Sequence, residues 1–243
     1  VSMVASGTVH YFVTAGEAEG KLVMDEDVVL TNKLLAAEFD YDSGKIWVRT
    51  SMPSYDPDAD SFLLVHSDGT AVPVSDVQGD EGCYALTLDR EPSLVNLHQY
   101  RLRFRGYDYT IQTNTVYASK RFAAEFTYEG KDLGATWSAD ATIFKVWAPT
   151  AEAVRVALYR SGTVGTDDCI EIIPMQRSGK GTWQASAAGD RNGQYYTYIV
   201  KRCGEEVEAV DPYARTTGVN GGRGMVIDLA STDPKGWNKD ENP

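Results

Sequence analysis

Tyr100-Arg101-Leu102-Arg103-Phe104-Arg105-Gly106-Tyr107-Asp108-Tyr109-Thr110-Ile111-Gln112 decides the fold class. Tyr100, Leu102 and Phe104 alternate with Arg101 and Arg103, so one face is apolar and the other charged. That period of two belongs to a half-buried antiparallel strand with solvent on one side. Arg105-Gly106 then turns the chain, glycine supplying the positive φ of a tight turn, and Tyr107–Gln112 returns as the partner. Upstream the same grammar recurs. Leu34–Asp40 and Lys45–Thr50 flank Tyr41-Asp42-Ser43-Gly44, and Phe62–His66 and Ala71–Val74 flank Ser67-Asp68-Gly69-Thr70. Short runs of β-branched and aromatic residues separated by such turns from Thr8 to Thr113 predict a sandwich or barrel.

Downstream the pattern breaks once. Between Val116 and Gly130, Ser119 is placed to cap a short helix carrying Phe122 and Phe126 four residues apart on one face, which reads as a connector with a packed joint. Strands resume as Thr142–Ala148, Val154–Tyr159, Cys169–Met175, Thr182–Ser186, Tyr195–Lys201, Val207–Val210 and Met225–Leu229. This spacing without helical period predicts an immunoglobulin-like sandwich. After Asp228 the chain turns to Ser, Asp, Pro, Gly, Lys and Asn and reads as linker. The expectation is an all-β chain of two immunoglobulin-like β-sandwich domains in tandem, residues 1–115 and 131–230. Residues 116–130 connect them, and 231–243 lead onward.

A length of 243 residues suits two domains. No apolar run approaches the ~18 residues of a spanning helix. A net charge of −12 repels phosphate backbones and anionic lipid, so neither nucleic acid nor a membrane is an expected partner. Cys83, Cys169 and Cys203 have no Cys-x-x-Cys spacing and are expected to be buried free thiols, although Cys169 and Cys203 sit in the same half and could pair. Val1-Ser2-Met3-Val4-Ala5-Ser6-Gly7 lacks the basic start and long apolar stretch of a secretory signal, which leaves cytoplasm and export both open.

Several segments resemble one family. Tyr128-Glu129-Gly130-Lys131-Asp132-Leu133-Gly134-Ala135-Thr136-Trp137 and Thr142-Ile143-Phe144-Lys145-Val146-Trp147-Ala148-Pro149-Thr150-Ala151 resemble the start of carbohydrate-binding module family 48 as it stands in type I pullulanases. The likeness continues in Gly189-Asp190-Arg191-Asn192-Gly193-Gln194-Tyr195-Tyr196-Thr197-Tyr198, in Ala209-Val210-Asp211-Pro212-Tyr213-Ala214, and from Gly218 to Leu229. The resemblance implies an accessory module ahead of a glycoside hydrolase family 13 barrel that hydrolyses α-1,6 links in pullulan and starch. By position, residues 1–115 resemble the additional N-terminal domain of such enzymes, in one group carbohydrate-binding module family 68.

A retaining glycosidase needs two carboxylates about 5 Å apart on the strand ends of a barrel of some 250 residues. This chain has neither that length nor βα alternation, so no catalytic residue is assigned, and no cofactor is expected. His10, His66 and His98 stand singly and read as structural. Asp56, Asp58 and Asp60 alternate like the first ligands of a calcium loop, but Ser61 and Ser67 stand where that loop requires Gly and Glu, so no metal site is assigned.

Sugar binding by a sandwich relies on exposed rings under pyranose faces. In glycogen-binding relatives of family 48 a Trp stands three residues before the Asp-Pro pair. Glu208 holds that position here, which argues against a sugar site there. Phe144, Trp147, Tyr196 and Tyr198 are expected in the core, and Trp137 and Trp183 at sheet edges. In the first domain the candidate platforms are Trp47, which shares a face with Lys45 and Arg49, the loop residue Tyr55, and the pair Tyr107 and Tyr109. The function implied is a non-catalytic accessory region of a starch-debranching enzyme, with α-glucan (starch, pullulan, maltooligosaccharides) and the enzyme's own barrel as partners. The rival expectation is a β-sandwich protein-interaction module of a larger assembly with no glucan affinity.

Overall fold

The structure is a computed structural model that describes residues 11–15, 18–22, 32–52 and 56–237, with only the backbone of 11–15 and 18–22. In the first half the strands are β1 Tyr11–Ala15, β2 Ala18–Leu22, β3 Leu34–Asp40, β4 Lys45–Thr50, β5 Phe62–His66, β6 Ala71–Asp80, β7 Cys83–Leu88, β8 Tyr100–Phe104 and β9 Tyr107–Thr110. Helix α1 spans Lys120–Phe126. The second half carries β10 Gly134–Trp137, β11 Ala141–Trp147, β12 Ala153–Tyr159, β13 Cys169–Pro174, β14 Gln176–Arg177, β15 Thr182–Ala188, β16 Tyr195–Arg202, β17 Glu205–Ala209, β18 Thr216–Thr217 and β19 Gly224–Met225.

β3 to β9 form one path in the order β3-β4-β7-β6-β5-β8-β9. β6 makes it two layers. Residues 71–73 pair with β5 and residues 74–80 with β7, with an irregularity between Val74 and Asp76 where the strand passes from one layer to the other. The path nearly closes, because Phe39 N–H donates to Gln112 O at 2.9 Å and Gln112 N–H to Ala37 O at 2.8 Å. This bridge takes Gln112 out of the predicted hairpin, so β9 ends at Thr110. Inside lie Phe39, Ile46, Leu64, Leu86, Leu102 and Phe104, all fully buried, each contributing roughly 1.5–3 kcal/mol. The turn of the first hairpin is held by its own side chains: Gly44 N–H donates to Asp40 O, while the Asp40 carboxylate accepts from Ser43 Oγ and Asp42 N–H.

The second half stacks the sheet β10-β11-β15-β14 on the sheet β13-β12-β16-β19-β18, with β17 also on β16. Phe144, Val156, Leu158, Tyr196 and Val226 fill the space between them. The chain is therefore all-β in sandwich form, as its alternation predicts. The strand set also departs from expectation. β10 lengthens the first sheet, β7 adds a strand to the first half, and the predicted run to Leu229 shortens to Gly224–Met225 because Asp228 caps a 3₁₀ turn over Leu229–Thr232.

Trp147 and Trp183 exchange their expected places. Trp147 lies three residues from Phe144, and in a strand an odd interval puts two side chains on opposite faces. Phe144 and Val146 point inward, whereas Trp147 is 37% exposed. Trp183 pairs with Val146, shares its inward face and is only 5% exposed, its indole N–H donating to Ala148 O at 2.9 Å.

Trp147 serves the joint instead. Ser119 Oγ accepts from Phe122 N–H at the start of α1, as the sequence predicts, and Phe122 is buried in the first core. At the other end of the helix the donors come from the second half. Trp147 Nε1 donates to Phe126 O at 2.8 Å and Lys180 Nζ to Ala124 O at 2.7 Å. Carbonyls in the last turn of a helix lack intrahelical partners, so these two side chains act as a cap. The Phe122 ring lies 4.9 Å from Phe126 and 6.3 Å from Trp147, edge-on to the latter.

Candidate functional site

β4 alternates Lys45, Trp47 and Arg49 outward with Ile46 and Val48 inward, and leaves Trp47 50% exposed. Its cross-strand neighbours are Glu38 on β3 and Ala85 on β7. A half-exposed indole is thus set among charged and amide groups, with Lys45 Nζ reaching Gln78 Oε1 at 3.4 Å. Hydrogen bonding from Ser43, with smaller contributions from Asp42 and Trp47, outweighs burial and holds the Asp40 carboxyl below its ordinary value, so it stays an acceptor. A flat apolar ring ringed by donors and acceptors can hold a pyranose by its face and its hydroxyls.

Tyr107 and Tyr109 stand opposite Phe104 and Leu102, on the inward face of β9. Tyr109 packs against the core while Tyr107, nearer the turn, is 56% exposed. Between them Asp108 points the other way and binds Arg103 at 2.7 Å. Trp47 points outward and Tyr109 inward, so the structure does not bring them into one platform. Tyr55 lies outside the described residues. In its loop Asp58 Oδ1 accepts from Ser61 N–H and Oγ, which gives that carboxylate a capping role.

Glu208 in β17 is committed to its own fold. Its Oε1 accepts from Tyr159 Oη at 2.6 Å and Thr197 Oγ1 at 2.7 Å. The Tyr159 ring is covered in turn by the Arg223 guanidinium, 3.6 Å above its centre. Arg223 is buried and donates to Ser161 O and Asp168 Oδ1, each at 2.8 Å. Burial pushes the Asp168 carboxyl up, but hydrogen bonds from Arg223, Thr166 and Ser161 outweigh it and hold the group well below the carboxylate range. Where a stacking ring would be needed, this module has a cross-linked polar surface.

Asp211, of the Asp-Pro pair, is buried. Its Oδ2 accepts from Tyr196 Oη at 2.8 Å and its Oδ1 from Tyr213 N–H at 2.8 Å. Burial raises its pKa and these bonds offset that only in part. Asp211 is thus held by hydroxyl and amide donors, and among the described residues it forms no salt bridge.

The cysteines depart from expectation. Cys83, Cys169 and Cys203 are free and exposed, because Cys83 and Cys169 open their strands and Cys203 sits in a turn with φ of 53°. His66 packs edge-on against Tyr100 at 4.8 Å, and His98 Nδ1 meets Val95 O at 3.0 Å. Among the described residues no three His, Cys, Asp or Glu side chains cluster to hold a metal.

Part of the second sandwich, which holds the Asp-Pro carboxyl, is similar to a known class of module. Residues 132–214 match the family model of carbohydrate-binding module 48, the isoamylase N-terminal domain. The particular likeness is to pullulanases. The chain is 33% identical over 144 residues to pullulanase of Bacillus subtilis (strain 168), covering 59% of this chain and 19% of that protein. It is 33% identical over 120 residues to chloroplastic pullulanase 1 of Arabidopsis thaliana, covering 46% of this chain and 12% of that one. Among solved structures, pullulanase of Anoxybacillus sp. LM18-11 complexed with maltotetraose aligns with TM-score 0.59 and 30% identity over 82% of this chain and 27% of its own. The chain is thus pullulanase-like and spans about a fifth of the Bacillus subtilis relative.

Proposed function

We propose that the chain is the accessory region of a pullulanase-type starch-debranching enzyme, without catalytic groups of its own. In this reading residues 131–230 form the family 48 module, 1–115 a companion sandwich and 116–130 the connector, with 231–243 leading to a barrel that hydrolyses α-1,6 links in pullulan and starch. The partners are α-glucan and that barrel.

The observation that carries the reading is likeness to pullulanases across both halves, which includes a relative solved with maltotetraose. The aromatic platforms for glucan lie in the first half rather than in the module. Trp47 offers a half-exposed ring on the outward face of β4, Tyr107 and Tyr109 form a separate candidate pair on the inward face of β9, and Tyr55 is a further candidate, whereas Glu208 already holds two hydroxyls in the module.

Native electrophoresis in gels cast with amylopectin or pullulan tests this. Retardation that Trp47→Ala weakens is expected, with no reducing ends released from pullulan. Mobility indifferent to both polysaccharides would favour a protein-interaction module. Sustained sugar release abolished by a single carboxylate substitution would overturn the accessory reading.

A further inference from the structure

A concavity lies at the joint, and nothing in the module match assigns it a ligand. We propose that this cleft between the two halves is a subsite for a short linear α-glucan, seated on Tyr117 and held by Arg202 and Arg101. The proposal rests on the glucan reading above and adds the place where the chain is held.

The cleft encloses about 370 Å³, within the size range of small-ligand sites, roughly 300–1,000 Å³. Its floor is apolar: Leu97, Tyr100, Ile111 and Val116 are buried members of the first core. The rim is polar and comes from both halves, Arg101 and Tyr117 from one side and Thr150 and Arg202 from the other.

Tyr117 is 48% exposed yet braced, because Phe122 meets its ring edge-on at 5.3 Å and Arg202 Nη2 donates to its hydroxyl at 2.7 Å. A ring fixed in this way loses little freedom when a sugar face covers it. Arg101 is fixed as well, its Nη1 donating to His98 O at 3.0 Å and Tyr100 O at 2.9 Å.

These two arginines form no salt bridge among the described residues, whereas Arg103, Arg121, Arg155, Arg191 and Arg223 each bind a carboxylate. A guanidinium carries five N–H donors, so both retain donors to offer vicinal hydroxyls. Apolar floor, braced ring and spare donors together match the faces and hydroxyls of a glucan. A small anion would use the arginines but leave the floor empty, and the protein's net charge of −12 opposes it.

Calorimetric titration of the whole chain with maltotetraose tests the site, with Tyr117→Ala, Arg202→Gln and the surface control Arg155→Gln, each checked for its thermal midpoint. Roughly tenfold or greater weakening by the first two at unchanged midpoint, with none from the control, is expected. Tyr117→Phe keeps the ring but drops the tether and should fall between. Affinity that survives both cleft variants, alongside retardation by amylopectin, would overturn the subsite and leave the glucan reading standing. Absence of both binding heat and retardation would overturn the two together. Heat with inorganic phosphate but none with maltotetraose would mark an anion pocket and reject the proposal.

Discussion

Trp147→Phe combined with Lys180→Met removes both donors that the second half lends to the last turn of α1, while keeping an aromatic ring at one position and an apolar stem at the other. Each lost bond links a side chain to a carbonyl at the molecular surface, at 2.8 and 2.7 Å. Solvent can rehydrate those carbonyls, so each bond is worth the lower part of the usual range, about 0.5–1 kcal/mol. Together they amount to about 1–2 kcal/mol. The effect falls on local opening of a helix of 7 residues, too short to persist by its own propensity. When opening is fast relative to cleavage, proteolysis follows the open population, which should rise roughly 5- to 30-fold. Trypsin cutting after Lys120 and Arg121, followed by mass spectrometry, reads this directly. The main thermal transition should move little, because neither core is touched. Cleavage unchanged within a factor of about two would refute the argument that the second half holds the helix.

Phe144→Ala removes a fully buried ring 5.0 Å from Tyr196 and should cost about 3–5 kcal/mol in denaturant unfolding. Glu208→Ala leaves the buried Thr197 hydroxyl without its acceptor, lowers stability by about 1–3 kcal/mol, and should leave retardation by amylopectin unaltered. Because burial raises the Asp211 pKa, its protonated form is favoured in the fold, and this contribution is complete below the ordinary value of 3.8 and lost as pH rises through the folded value. Asp211→Asn should therefore match the parent at low pH and gain on it as pH rises past that point. A variant that instead loses stability relative to the parent towards neutral pH would mean that the ionised carboxylate is the favoured form.

The bounds of the first hairpin were legible because Lys45–Thr50 alternates cleanly and Gly44 closes the turn, whereas the irregularity that shifts the register between Leu34 and Ala36 left no mark in the sequence. Ser119 announced α1 for an equally local reason, a hydroxyl followed by two phenylalanines on one helical face. Trp47 could be placed outward from its charged neighbours alone. Trp147 could not be placed by hydrophobicity, since an apolar residue in a strand is read as core unless its phase relative to Phe144 is counted. Tyr117, Arg101 and Arg202 left no signal at all. They are scattered singly and Arg202 comes from the other half, so no local spacing could have grouped them. The role of Glu208 was half legible: the missing ring could be read from the sequence, but its bonds to Tyr159 and Thr197 depend on three strands meeting.

The bridge from Ala37 and Phe39 to Gln112 sets β3, the first strand of the β3–β9 path, beside the segment that leaves β9. A unit whose two ends emerge together hangs from the rest of the chain at one point, so adding or removing it need not displace what it is attached to. The same closeness makes the unit a candidate for circular permutation, with Leu34 and Gln112 joined by a short linker and new termini opened in the exposed turn Ser67-Asp68-Gly69-Thr70. In evolutionary terms, such a sandwich can be inherited, lost or transplanted as one piece.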